Sequence, residues 1–201
     1  FRITTTTKRL RRGFSLVETL VALSILLIAL VAPLTIASKS LQNIYFARES
    51  LTATMLAQEG VEAVVQLHRN SQLEVVKNGT PNWDWYDTLD SDCKGAGGNG
   101  CAMHFEDNLA TPVDVSSASC GAGSTCLLYL DTGDDRSKFS HDSAGGTPTP
   151  YTRAIRVWDI GNGNYSQVMV ESEVTWTSSV FPAGQSAIVR TTLFALAPTT
   201  I

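Results

Sequence analysis

The sequence contains no G-x-S-x-G or comparable nucleophile motif. His104, His141 and the scattered Ser and Asp residues therefore have nothing to frame them as a hydrolase triad, and an enzyme is not expected. A phosphate-binding loop is also lacking: the glycine run "GAGGNG" at 95–100 lies between two cysteines, with no strand pattern before it and no helix pattern after it, and reads as a turn. Positive charge is not in excess. The formal net charge is −4, and Lys8, Arg9, Arg11 and Arg12 are gathered ahead of an apolar run, which leaves the remainder more acidic and gives no support for nucleic-acid binding. Cysteine is scarce and confined to the polar half, at Cys93, Cys101, Cys120 and Cys126. The spacings C-x7-C and C-x5-C do not match zinc ligand sets, so no metal centre or other cofactor is expected. The first residue is Phe1 rather than Met, as expected of a fragment or of a sequence that lacks its true start.

Hydrophobicity is concentrated near one end. Phe14 to Ala37 spans 24 residues and carries a single charge, Glu18. As a helix this stretch is roughly 36 Å long, enough to cross the hydrocarbon core of a bilayer. The basic cluster before it is expected on the cytoplasmic side, with the rest of the chain outside. A cleaved secretory signal fits poorly, because the run is longer than a signal core and has no convincing A-x-A site. A plain signal anchor fits better but leaves Glu18 without a reason, and a carboxylate in a spanning segment is costly enough to need a partner. A cut after Gly13 would create an α-amino group on Phe14, four residues from Glu18 and so one helical turn away.

The stretch "RRGFSLVETLVALSILLIAL" resembles the leader and N-terminal helix of the type IV pilin and pseudopilin superfamily: basic leader, Gly, Phe, three residues, Glu, then apolar residues. The resemblance covers about 30 residues and implies a membrane prepilin peptidase that cuts between Gly13 and Phe14 and methylates Phe14. It further implies that Glu18 is the assembly carboxylate. The implied partners are other pilins or pseudopilins, a membrane-embedded assembly platform and the lipid bilayer. The implied location is a single-pass cytoplasmic-membrane protein that becomes part of an extracytoplasmic filament. The texture of the apolar run and the cysteine-bearing second half look most like a minor pilin of the V or I type. A pseudopilin of type II secretion and a membrane-anchored adhesion or binding module are the alternatives. On this reading residues 1–13 are the leader, 14–37 the transmembrane and assembly helix, 38–69 the amphipathic helix of the headgroup, 70–125 a cysteine-containing loop region and 126–201 an antiparallel sheet.

The remaining residues are read on their own patterns. Pro33 marks a kink or local opening. Ile44, Leu51, Met55, Val61 and Val65 fall at near-helical spacing up to about Arg69, which predicts an amphipathic continuation of the helix with that stripe turned to a core. His68, near its end, reads as solvated. Segments 152–159, 166–177 and 187–195 alternate as strands, with Val168, Val170, Val174 and Trp176 on one parity, and 126–130 adds a fourth strand. Short turns between neighbours predict an antiparallel meander that the helix covers, hence an α+β fold. Export places the four thiols in an oxidising compartment, so two disulfides are expected; of three pairings, Cys93 with Cys101 and Cys120 with Cys126 close short Gly-containing loops. Trp83, Trp85 and Tyr86 read as sealing a small core in preference to facing a ligand. Asp131, Asp134, Asp135 and Asp142 form an oxygen-rich loop for which calcium is a weak expectation, since it lacks the EF-hand pattern.

Overall fold

The computed structural model describes residues 13–78, 84–106, 114–120, 126–133, 137–161, 167–178 and 182–194. Two compact units divide the chain, 1–46 and 47–201. One helix, α1 (Leu16–Asn78), runs through the boundary between them and contains Pro33.

In the first unit α1 turns apolar side chains outward on every side: Leu20, Val21, Leu23, Leu27, Ile28, Leu30 and Val31 are all exposed. Three hydroxyl side chains in this stretch fold back on the helix. Thr19, Ser24 and Thr35 donate their hydroxyls to the carbonyls of Leu16, Val21 and Ala32 at 2.9, 2.8 and 2.7 Å. Such internal satisfaction removes the polar penalty of an apolar surrounding. The helix is long and apolar enough to cross a membrane.

The second unit joins the later part of α1 to an antiparallel sheet with seven strands among the described residues, which makes the fold α+β as expected. Its strands are β1 (Cys101–Glu106), β2 (Asp114–Ser119), β3 (Leu127–Asp131), β4 (Lys138–Ser140), β5 (Thr147–Asp159), β6 (Gln167–Trp176) and β7 (Gln185–Phe194). β5 organises the sheet: β6 pairs along it from Tyr151 to Asp159, while its other edge meets β1 at Ile155 and β3 further toward Thr147. Parity decides what is buried. Tyr151, Arg153, Ile155 and Val157 of β5, with Val168, Val170, Ser172, Val174 and Trp176 of β6, face the core.

The helix face that meets them differs from the expected stripe. Ile44, Leu51 and Met55 are exposed and Val65 only half-buried, whereas Ala53, Leu56, Ala57, Gly60, Val61, Ala63, Val64 and His68 are buried. The reason is distance. A Cβ at Gly60 would stand 2.5 Å from Ser172 Oγ and 3.2 Å from Ile155 Cδ1, so helix and sheet approach too closely there for large side chains.

Residues 70–125 also depart from a loop region. α1 continues past Arg69 to Asn78, with Gln66–Asn70 and His68–Gln72 side-chain contacts at 2.9 and 3.2 Å supporting the extra turns and Lys77 in the last one. A short helix α2 (Asp84–Asp87), a 3-10 turn (Ser91–Cys93), β1 and β2 follow. β2, "DVSSAS", has almost no apolar alternation and is a strand because it pairs with β1 over all six residues. The sheet therefore starts at Cys101, ahead of the expected 126.

Candidate functional site

Gly13 to Ser15 precede the first helical residue, and Glu18 sits in the first turn of α1. Helix and carboxylate are electrostatically matched, since unpaired N–H groups at a helix N-terminus favour a negative charge. Thr19 N–H donates to Ser15 C=O at 3.1 Å, which closes that first turn. Phe14 is 80% exposed, and among the described residues nothing lies within 4 Å of where a Gly13 Cβ would stand. Among the described residues, packing therefore gives no reason for glycine at 13. Residues 1–12 lie outside the described residues.

The same stretch is where a known family matches. Residues 8–32 match the family model described as the prokaryotic N-terminal methylation motif. This match covers the N-terminal segment alone and supports a type IV pilin-like or pseudopilin protein. The motif points to a structural protein rather than an enzyme. No curated protein and no solved structure matches the chain.

In the second unit the structure joins Cys93 to Cys101 and Cys120 to Cys126, with Cα separations of 4.9 and 5.2 Å. The first bond is buried and ties the 3-10 turn to the start of β1. Trp85 and Tyr86 are buried in the main core; Trp83 lies outside the described residues. His68, expected to be solvated, is buried because α2 brings Trp85 across it, edge to face at 5.2 Å. Burial pushes its pKa below the ordinary histidine value.

Asp131 and Asp142 accept backbone N–H groups of Gly133 and Ala144 at 2.8 Å each, so both carboxylates organise their own turns. Asp134 and Asp135 lie outside the described residues. Among the described residues no group of three His, Cys, Asp or Glu is arranged to hold a metal ion.

Sequence reasoning missed an arginine network on the two sheet faces. Arg153 is 1% exposed; its Nη1 donates to Leu56 C=O at 3.2 Å and meets Glu59 Oε1 at 3.3 Å, fastening α1 to β5. Burial lowers its pKa, and the charge of Glu59 and its hydrogen bond oppose that shift. The Nη2 of Arg153 faces His141 Nε2 at 3.4 Å, and His141 Nδ1 lies 3.2 Å from Leu127 C=O. A carbonyl only accepts and a guanidinium only donates, so these contacts require a neutral His141 with its hydrogen on Nδ1. His141 is thus a packing group, and the side chain of His104 lies outside the described residues.

On the opposite face, Arg156, Glu171 and Arg190 stand in register across β5, β6 and β7. Arg156 Nη1 reaches Glu171 Oε1 at 3.0 Å and Glu173 Oε2 at 2.9 Å, and Arg190 Nε reaches Glu171 Oε2 at 2.6 Å. Burial lowers the pKa of Arg156, but the hydrogen bonds and charges of Glu173 and Glu171 outweigh it and the net shift is upward. The signal available in the sequence was parity. In "YTRAIRVW" Arg153 shares the parity of Tyr151, Ile155 and Val157, which marks it as an inward charge that needs a partner.

Proposed function

We propose that this chain is a filament subunit, inserted as a prepilin, cut by prepilin peptidase between Gly13 and Phe14, methylated on Phe14, and assembled through its N-terminal helix. The observation that carries the reading is the conjunction of Gly13, unexplained by packing among the described residues, with Glu18 in the first turn of a helix whose N-terminal apolar run is exposed, inside the matched motif. After the cut, the new amine would begin two residues before the helix and close to Glu18. Glu18 then acts as a register device: in lipid its charge is satisfied where a neighbour's terminal amine reaches it, which selects one axial stagger between packed helices. Its partners are the peptidase, other pilins or pseudopilins, and a membrane assembly platform. A minor-pilin role is the finer assignment, supported by the texture of the apolar run and the cysteine-bearing headgroup.

Mass spectrometry of chain recovered from peptidase-containing membranes tests the first half; the expected N-terminus is methylated Phe14, and an intact leader there overturns the proposal. For the second half, Glu18→Ala is expected to insert into the membrane normally and to enter filaments poorly. Wild-type incorporation of that variant would remove the register role.

A further inference from the structure

β7 is an edge strand that the headgroup leaves unguarded. It is hydrogen-bonded to β6 in unbroken register from Gln185 to Phe194, and among the described residues nothing pairs with its other side. Exposed edges are ordinarily blunted by proline, lysine, a bulge or short length. "QSAIVRTTLF" has no proline or lysine, its ladder has no bulge, and it is ten residues long.

Both faces of this edge are unfinished. On the inner side Val189 and Leu193 pack on the core but stay only partly buried, as do Val65 and Leu67 of α1. The inward apolar side chains of β7 are therefore incompletely covered by the described residues. On the outer side Ile188 and Phe194 are exposed, with Arg190 and Thr192 between them on the same parity. Arg190 spends Nε on Glu171, its side chain is 60% exposed, and its two terminal nitrogens have no partner among the described residues.

We propose that the free edge of β7 docks an extended strand of another protein, with aliphatic side chains on one parity and a carboxylate on the other. Backbone pairing supplies the attachment, the aliphatic parity completes the cover over Val189 and Leu193, and the carboxylate meets the unused fork of Arg190. β6 already satisfies β7 in this way on its other side, with Val168, Val170 and Val174 inward and Glu171 outward. Charge and pattern argue against a second copy of this chain. Another β7 brings an arginine and no carboxylate, β2 and β4 each offer one large apolar residue (Val115, Phe139), and β6 has both edges occupied.

The test uses the full chain in detergent micelles and a synthetic, end-capped peptide with the sequence of Gln167–Trp176 as the probe. Amide hydrogen exchange is expected to slow within 185–194 on saturable peptide binding. Arg190→Gln, or Glu→Gln at both acidic positions of the peptide, is expected to weaken binding about fivefold, and the two changes together no further. Ile188→Lys, on an exposed position, adds the missing guard and is expected to abolish binding while leaving the fold intact. Three outcomes overturn the proposal: β7 amides as protected as those of β6 before peptide is added, which makes the edge covered by the chain itself; protection that rises with protein concentration alone, which makes the occupant a second copy; or binding indifferent to both charge changes.

Discussion

At the scale of single residues, the headgroup depends on where side chains are absent as much as on where they are present. Gly60 lies inside α1, where alanine would ordinarily be better by about 1 kcal/mol. A Cβ there would meet Ser172 Oγ at 2.5 Å and Arg153 Cδ at 3.1 Å. Overpacking of this kind outweighs the propensity gain, so Gly60→Ala is expected to lower stability by about 1–2 kcal/mol in chemical denaturation. Ser172 Oγ is buried and without a hydrogen-bond partner among the described residues, so Ser172→Ala removes the nearest obstacle at little loss. The double variant is expected to recover part of the deficit; a double variant no better than Gly60→Ala would show that the helix–sheet distance is set elsewhere. Nothing in the local sequence "AQEGVEA" distinguishes this glycine from a tolerated one, because its obstacle is contributed by β6.

At the scale of elements, α1 and α2 are held together through His68 and Trp85, and that contact is sensitive to pH. Burial lowers the folded-state pKa of His68, so the folded form holds it neutral while the unfolded chain takes up a proton below about pH 6.5. The contribution is present above that pH and is lost as pH falls toward the folded value. Equilibrium unfolding is therefore expected to show stability falling as pH drops below about 6.5, and His68→Gln is expected to flatten that part of the profile. An unchanged slope would mean that other groups carry it. His68 looked solvated in the sequence because it follows the apolar stripe and precedes Arg69 and Asn70. The element that covers it, α2, begins at Asp84 and is too short to announce itself by periodicity.

For the whole molecule, the boundary between units falls inside one helix, at 46/47. The headgroup core takes Ala53, Leu56, Ala57, Val61, Ala63 and Val64 from α1. A chain beginning at Ala47 is therefore expected to fold, with both disulfides and a cooperative thermal transition, whereas one beginning at Arg69 loses the helical half of the core and is expected to remain largely unfolded by circular dichroism. A folded Arg69–Ile201 fragment would contradict the role given to α1. The amino-acid sequence by itself determined the N-terminal motif of Gly13, Phe14 and Glu18, the apolar run behind it, the parity of β5 to β7 and the α+β class. All of these are written in spacings of a few residues, where backbone geometry alone sets which side chains share a face. The tertiary structure decided which face of α1 is buried, the closure of Arg153 on Glu59, the pairing of β1 with β2 and the open edge of β7. Each of those depends on groups far apart in the chain, and their meeting is set by close approach and long-range strand pairing that no local pattern encodes.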